Sequence, residues 1–220
     1  RHTMRDHKRI LYNGNNYSEE WIKEAESRGL AHLPTTVDAM HCFISEKNIS
    51  LFTRWGIYTE REMRSRYDIS LENYAKLIRI EASTMLSMAQ RSILPAVIGY
   101  ESKIAEAVSA KDRLGVPNDA EYALLKGLSA GVNALHKRIG GLFDAIAAMP
   151  KGNGEAAEYC RDKLLPAMGS LREAADALET ITAKEYWPFP GYEDLLFNLR
   201  SQRILQCPSM CFFRWKNTVF

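Results

Sequence analysis

Gly127-Leu-Ser-Ala-Gly131 is the stretch of this sequence that most resembles a catalytic motif. It matches the G-x-S-x-G pattern, in which a serine on a strained strand-to-helix turn becomes an exposed nucleophile. That chemistry depends on the turn, and Ser129 lies inside an unbroken apolar repeat that reads as helix. Its small neighbours then serve to let another helix come close. A di-metal site in a helical bundle needs Glu-x-x-His on facing helices. No histidine here has a glutamate three residues before it, and His41 has only Asp38. His41 and Cys42 are sequence neighbours, so on a helix they point apart. Cys207 and Cys211 can share a helix face, but no second ligand pair accompanies them. Lys151-Gly-Asn-Gly154 lacks the Gly-Lys-Ser/Thr ending of a phosphate loop and reads as a turn. Glu81 falls near the apolar stripe of a long helix, as a buried paired carboxylate or at the rim. These residues assign no catalytic, cofactor-binding or metal-ligating position.

The elements behind these residues are helical. Thr59 followed by Glu62 forms a capping box, in which hydroxyl and carboxylate each satisfy an orphaned backbone N–H. From there to about Asp112 the residues Met63, Tyr67, Leu71, Tyr74, Ile78, Met85, Met88, Ile93, Val97 and Ile104 fall mostly three or four apart. This predicts one long amphipathic rod, roughly 75 Å at 1.5 Å per residue. Pro95 removes one hydrogen bond and should kink the rod without ending it. Gly115, Pro117 and Asn118 then mark a turn, and Asn118 with Glu121 repeats the capping pattern. Leu125, Leu128, Val132, Leu135, Ile139, Leu142, Ile146 and Met149 alternate three and four apart, the spacing of a coiled-coil heptad. After the turn at 150–154, Cys160, Leu164, Ala167, Leu171, Ala174, Leu178 and Ile181 repeat the pattern. Pro166 should bend this third helix, and Trp187-Pro-Phe-Pro190 should end it.

Short connections between long helices force antiparallel neighbours. The expected fold class is therefore all-α: an antiparallel three-helix coiled coil with short helices packed at one end. Those are Glu19–Arg28, capped by Ser18 and stopped by Gly29, then one from Pro34–Thr36 through Ile44, then Ser45–Trp55. Two aromatic groups, Trp55-Ile57-Tyr58 and Trp187-Phe189-Tyr192, fall at opposite ends, about 45 Å apart at 1.5 Å per residue. They are contact surfaces for another part of the protein, or they are covered by the short helices and the tail.

In a chain of 220 residues a net charge of +2 argues neither for nor against nucleic acid, and no nucleic-acid partner is expected. Arg200, Arg203, Arg214 and Lys216 lie in an acid-free final segment; taking those four from +2 leaves −2 for the remainder. The basic residues before Ile10 are interrupted by Asp6 and read as solvated surface. The four cysteines lack a framework spacing, which fits a reducing compartment. No apolar run approaches a membrane span and no signal peptide is evident, so the expected location is the cytosol and the sequons at Asn16 and Asn48 read as chance.

Further motifs carry a resemblance. They are His7-Lys-Arg-Ile-Leu-Tyr-Asn-Gly-Asn-Asn-Tyr-Ser-Glu-Glu-Trp21, Glu24–Leu30, Thr35–Ala39, Glu60-Arg-Glu62, Ser65-Arg-Tyr67, Ile80-Glu-Ala82, Thr84-Met85, Ile93–Ala96, Trp187–Pro190 and Tyr192–Phe197. In this order the chain resembles the C-terminal part of type III glutamine synthetase. The resemblance implies a parent enzyme that joins ammonia to glutamate with ATP and Mg or Mn. It also implies stacked hexameric rings, and a helical C-terminal region whose partners are its own catalytic domain and neighbouring subunits. The family's metal, nucleotide and glutamate ligands belong to sequence preceding residue 1, so none is carried over. The expected division is 1–17 as the end of the catalytic domain, 18–199 as the helical domain, and 200–220 as an atypical basic tail. The alternative is a free-standing helical scaffold that binds another protein through its helical faces.

Overall fold

The computed structural model describes residues 2–196, and among them every regular element is helical. Three short helices lead in: α1 (His2–Asp6), α2 (Glu19–Ser27) and α3 (Thr36–Phe43), followed by α4 (Glu46–Arg54). Ser18 accepts a hydrogen bond from the Trp21 N–H and Thr35 from the Asp38 N–H, as N-caps do. Gly29 and Gly56 take left-handed φ values of 73° and 63° just past α2 and α4, where a side chain would be strained. Of these helices α3 and α4 pack on the bundle, with Val37 buried against Leu71 and Ala157. α2 instead packs mainly on the segment before it. Tyr12 stacks on Trp21 at 4.3 Å, and Arg28 donates to the carbonyls of Arg9 and Leu11. The expectation that the short helices all pack at the bundle end therefore fails for α2.

The rod comprises α5 (Glu60–Met88), a π-turn at Ala89–Ile93 and α6 (Leu94–Leu114). Its capping box is present in full, with the Glu62 carboxylate accepting from the Thr59 N–H at 2.8 Å. The proline does more than kink it. Leu94 donates to the carbonyl of Ala89, five residues back, and this widened turn precedes Pro95. The third long helix repeats the device: α8 (Asn153–Tyr159), a π-turn at Cys160–Leu164, then α9 (Leu165–Ile181), with Leu165 donating to Cys160 ahead of Pro166. A wide turn moves the carbonyl that the proline ring would otherwise strike.

α7 (Asp119–Ala147) lies against α6, α5 and α9, and α8 lies against α5. Leu128, Leu135 and Leu142, seven apart, are fully buried, and the other heptad positions are buried or half-buried. On the rod, Ala75, Ala82 and Ala89 form a second buried series seven apart. Small side chains there bring backbones close: the Cys160 Sγ lies 3.9 Å from the Ala75 carbonyl oxygen.

Four local expectations are corrected. Met88 is 42% exposed, because Ala89, about 100° round the helix, takes the inward position. Asn118 does not cap α7 with its side chain; its amide turns back to Val108 O and Asp112 Oδ1, while Glu121 accepts from Lys111. The third helix ends at Ile181, not near Trp187. Thr182 is extended and buried there, its hydroxyl donating to the Leu178 carbonyl at 2.7 Å, and Ile181 turns outward. The segment 200–220 lies outside the described residues.

Candidate functional site

A polar junction joins α3, α5 and the start of the third helix, and no other cluster of ionisable side chains among the described residues ties together three elements so far apart in sequence. Arg161, in the second π-turn, donates to Asp38 Oδ1 on α3 at 2.6 Å and grips Asp162 through two nitrogens at 2.6 and 2.9 Å. His41 Nδ1 lies 3.2 Å from the Tyr67 hydroxyl, and His41 Nε2 lies 4.0 Å from Glu158. The hydrogen bond from Arg161 holds the Asp162 carboxyl below its ordinary range, and Asp162 in turn raises the guanidinium further. Burial pushes the Tyr67 phenol up, and Tyr74 beside it likewise. Every acid here faces a base. This is a strut that fixes α3 to the bundle, with no nucleophile set against a free general base.

The residues singled out from sequence are dispersed. Ser129 lies within α7, its backbone carbonyl accepting from Asn133 at 2.9 Å. No non-glycine residue among those described has a positive φ, so the strain of a nucleophile elbow is missing. Gly131 is where a helix approaches: a Cβ there would stand 2.4 Å from Leu178 Cδ2. Cys42 is exposed and Cys160 buried, the latter's thiol pKa raised by burial. Cys207 and Cys211 lie outside the described residues. Gly152 is the N-cap of α8, and Glu81 is exposed, at the rim. No three His, Cys, Asp or Glu side chains among the described residues converge as metal ligands. No described helix is long and apolar enough to cross a membrane. The Asp38–Arg161 contact, spanning 123 positions, is what the sequence reading missed; single charges at such separation leave no periodic signal.

What remains is a helical protein whose polar groups hold helices to one another. Residues 1–112 match the sequence model of the glutamine synthetase C-terminal domain. The chain belongs to that family. It is 37% identical over 205 residues to a glutamine synthetase of Butyrivibrio fibrisolvens, covering 90% of this chain and 29% of that protein. A type-3 glutamine synthetase of Dictyostelium discoideum is 34% identical over 204 residues, 89% of this chain and 28% of that one. A glutamine synthetase of Bacteroides fragilis (strain YCH46) is 26% identical over 196 residues, 86% of this chain and 27% of that protein. The chain thus spans less than a third of the length of these curated relatives.

Proposed function

We propose that this chain is the non-catalytic helical C-terminal region of a type III glutamine synthetase and that it shapes contacts between subunits. The parent activity is then the ATP- and Mg- or Mn-dependent joining of ammonia to glutamate, carried out by residues outside this chain. In this reading residues 1–17 close the catalytic portion, 18–199 form the assembly element, and the long helices act as an antiparallel three-helix coiled coil. Support for the coiled coil comes from the buried heptad of α7 and its packing against both α6 and α9.

The observation that carries the assembly role is an uncovered apolar patch where α4 meets the rod. Leu51 is 47% exposed, Trp55 70% and Ile57 56%. Aromatic side chains left open in this way are the anchors of protein contacts. Its counterpart at the other end is different: Trp187 and Phe189 pack on the core, so that group serves the chain's own fold. Incubating the purified chain with ATP, Mg, glutamate and ammonia tests the non-catalytic assignment. No glutamine above a protein-free control is the expected result, and ATP-dependent glutamine formation contradicts it.

A further inference from the structure

A groove of about 610 Å³ runs between α5, the end of α7 and the start of α8. Its floor is apolar, built from the half-buried Leu86, Ile146 and Met149, with Phe143 on the outer lip 57% exposed. Its rim is cationic. Lys76 is neutralised by Glu72 at 2.5 Å, but Arg79 and Lys151 are exposed and have no acidic partner among the described residues. An occupant must therefore bring an apolar side chain together with acids.

One such corner of the described chain lies at the start of α2. Tyr17 is 98% exposed and directly precedes Ser18, Glu19 and Glu20 at the start of α2. Glu19 and Glu20 are exposed and make no ion pair among the described residues. The corner sits on the helix that packs on its own leading segment and only slightly on the bundle. α3, to which α2 is tethered, docks on the flank of α5 that carries Tyr67 and Leu71, whereas the groove opens on the flank carrying Lys76, Arg79 and Ser83.

We propose that this groove receives the Tyr17–Glu20 corner of a second copy of the chain. The Tyr17 ring lies on the apolar floor beside Phe143, and Glu19 and Glu20 meet Lys151 and Arg79. Knob and groove occupy different places on one chain, so the contact is heterologous, the type that propagates from copy to copy and closes into a ring when its rotation allows. This rests on the assembly role proposed above and adds to the Leu51–Trp55–Ile57 patch a second contact surface with a stated partner.

The test mixes equal amounts of unlabelled and ¹⁵N-labelled chain and couples amines to carboxylates with a zero-length carbodiimide. Digestion and mass spectrometry then look for a link from Lys151 to Glu19 or Glu20. The expected product is that link, with half of it joining a light peptide to a heavy one. Its absence, or only single-isotope pairs from a chain folding onto itself, overturns the proposal. A charge exchange supplies the second arm. Lys151→Glu and the double variant Glu19→Lys/Glu20→Lys should each lose the larger species in sedimentation velocity, and mixing the two should restore it. If both variants sediment as the unaltered chain does, the groove contact is wrong while the assembly role stands. If the unaltered chain is monomeric at every concentration, both fall.

Discussion

Gly131 offers a test of how closely α7 and α9 approach. A methyl added there would lie 2.4 Å from Leu178 Cδ2 and 3.0 Å from its Cγ, and Leu178 is 1% exposed, with little room to turn away. Gly140, on the same helix, has nothing within 4 Å of such a methyl. In both places replacing a mid-helix glycine with alanine removes chain entropy from the unfolded state, a gain of about 0.5–1 kcal/mol. At Gly131 that gain is set against overpacking of about 1–3 kcal/mol. Gly140→Ala should therefore stabilise the fold, and Gly131→Ala should be neutral to destabilising. The gain is common to both, so the gap between them is the overpacking cost, about 1–3 kcal/mol, which in a chain of this size separates their melting temperatures by about 2–12 °C. Urea unfolding followed by circular dichroism reads the difference. If Gly131→Ala raises the midpoint as much as Gly140→Ala, the close approach of α7 and α9 is wrong.

Three further outcomes follow from the same packing. Leu135→Ala, at a fully buried heptad position, should cost about 2–5 kcal/mol in urea unfolding. A π-turn holds one residue more than an α-turn, so deleting exposed Gln90 together with Pro95→Ala should leave a folded protein, with α5 and α6 in their present facing. Deleting Ser83 instead rotates everything beyond it by about 100° and should unfold the bundle on far-ultraviolet circular dichroism. The Glu62, Glu121, Asp162 and Asp194 carboxyls sit below their ordinary range, held chiefly by hydrogen bonds from Thr59, Lys111, Arg161 and Lys184 respectively. A depressed carboxyl stabilises the fold above its unfolded-state pKa and loses that contribution as pH falls through its folded-state value. The melting temperature should therefore fall on acidification below about pH 4, near the model-peptide carboxylate values, and Glu62→Gln with Glu121→Gln should flatten that slope.

The large-scale helices were legible because burial repeats with the helical period, as the series from Leu125 to Met149 shows. The Thr59 cap was legible because it needs only two residues three apart. The twin π-turns were not. Proline announces a disturbance at its own position, while the backbone absorbs it one turn earlier, at Ala89–Ile93 and Cys160–Leu164. Ala75, Ala82 and Ala89 are not legible in the same way, because a stripe through the large apolar residues passes over small ones and includes Met88 where the fold buries Ala89. Asn118 shows that a capping pattern is an offer the tertiary structure can decline, here in favour of Val108 and Asp112. The junction of Asp38, His41, Tyr67, Glu158 and Arg161 draws on residues more than a hundred positions apart, and only the fold brings them together.

The most direct test of the assembly role is sedimentation velocity of the chain beside a Trp55→Ala/Ile57→Ala variant, across a hundredfold range of concentration. Both side chains are largely exposed, so their removal leaves the core intact and the variant's circular dichroism should match the parent's. The account predicts that the unaltered chain shifts to larger species as concentration rises and that the variant shifts far less. Identical mass distributions for the two, or a chain that stays monomeric throughout, would contradict it.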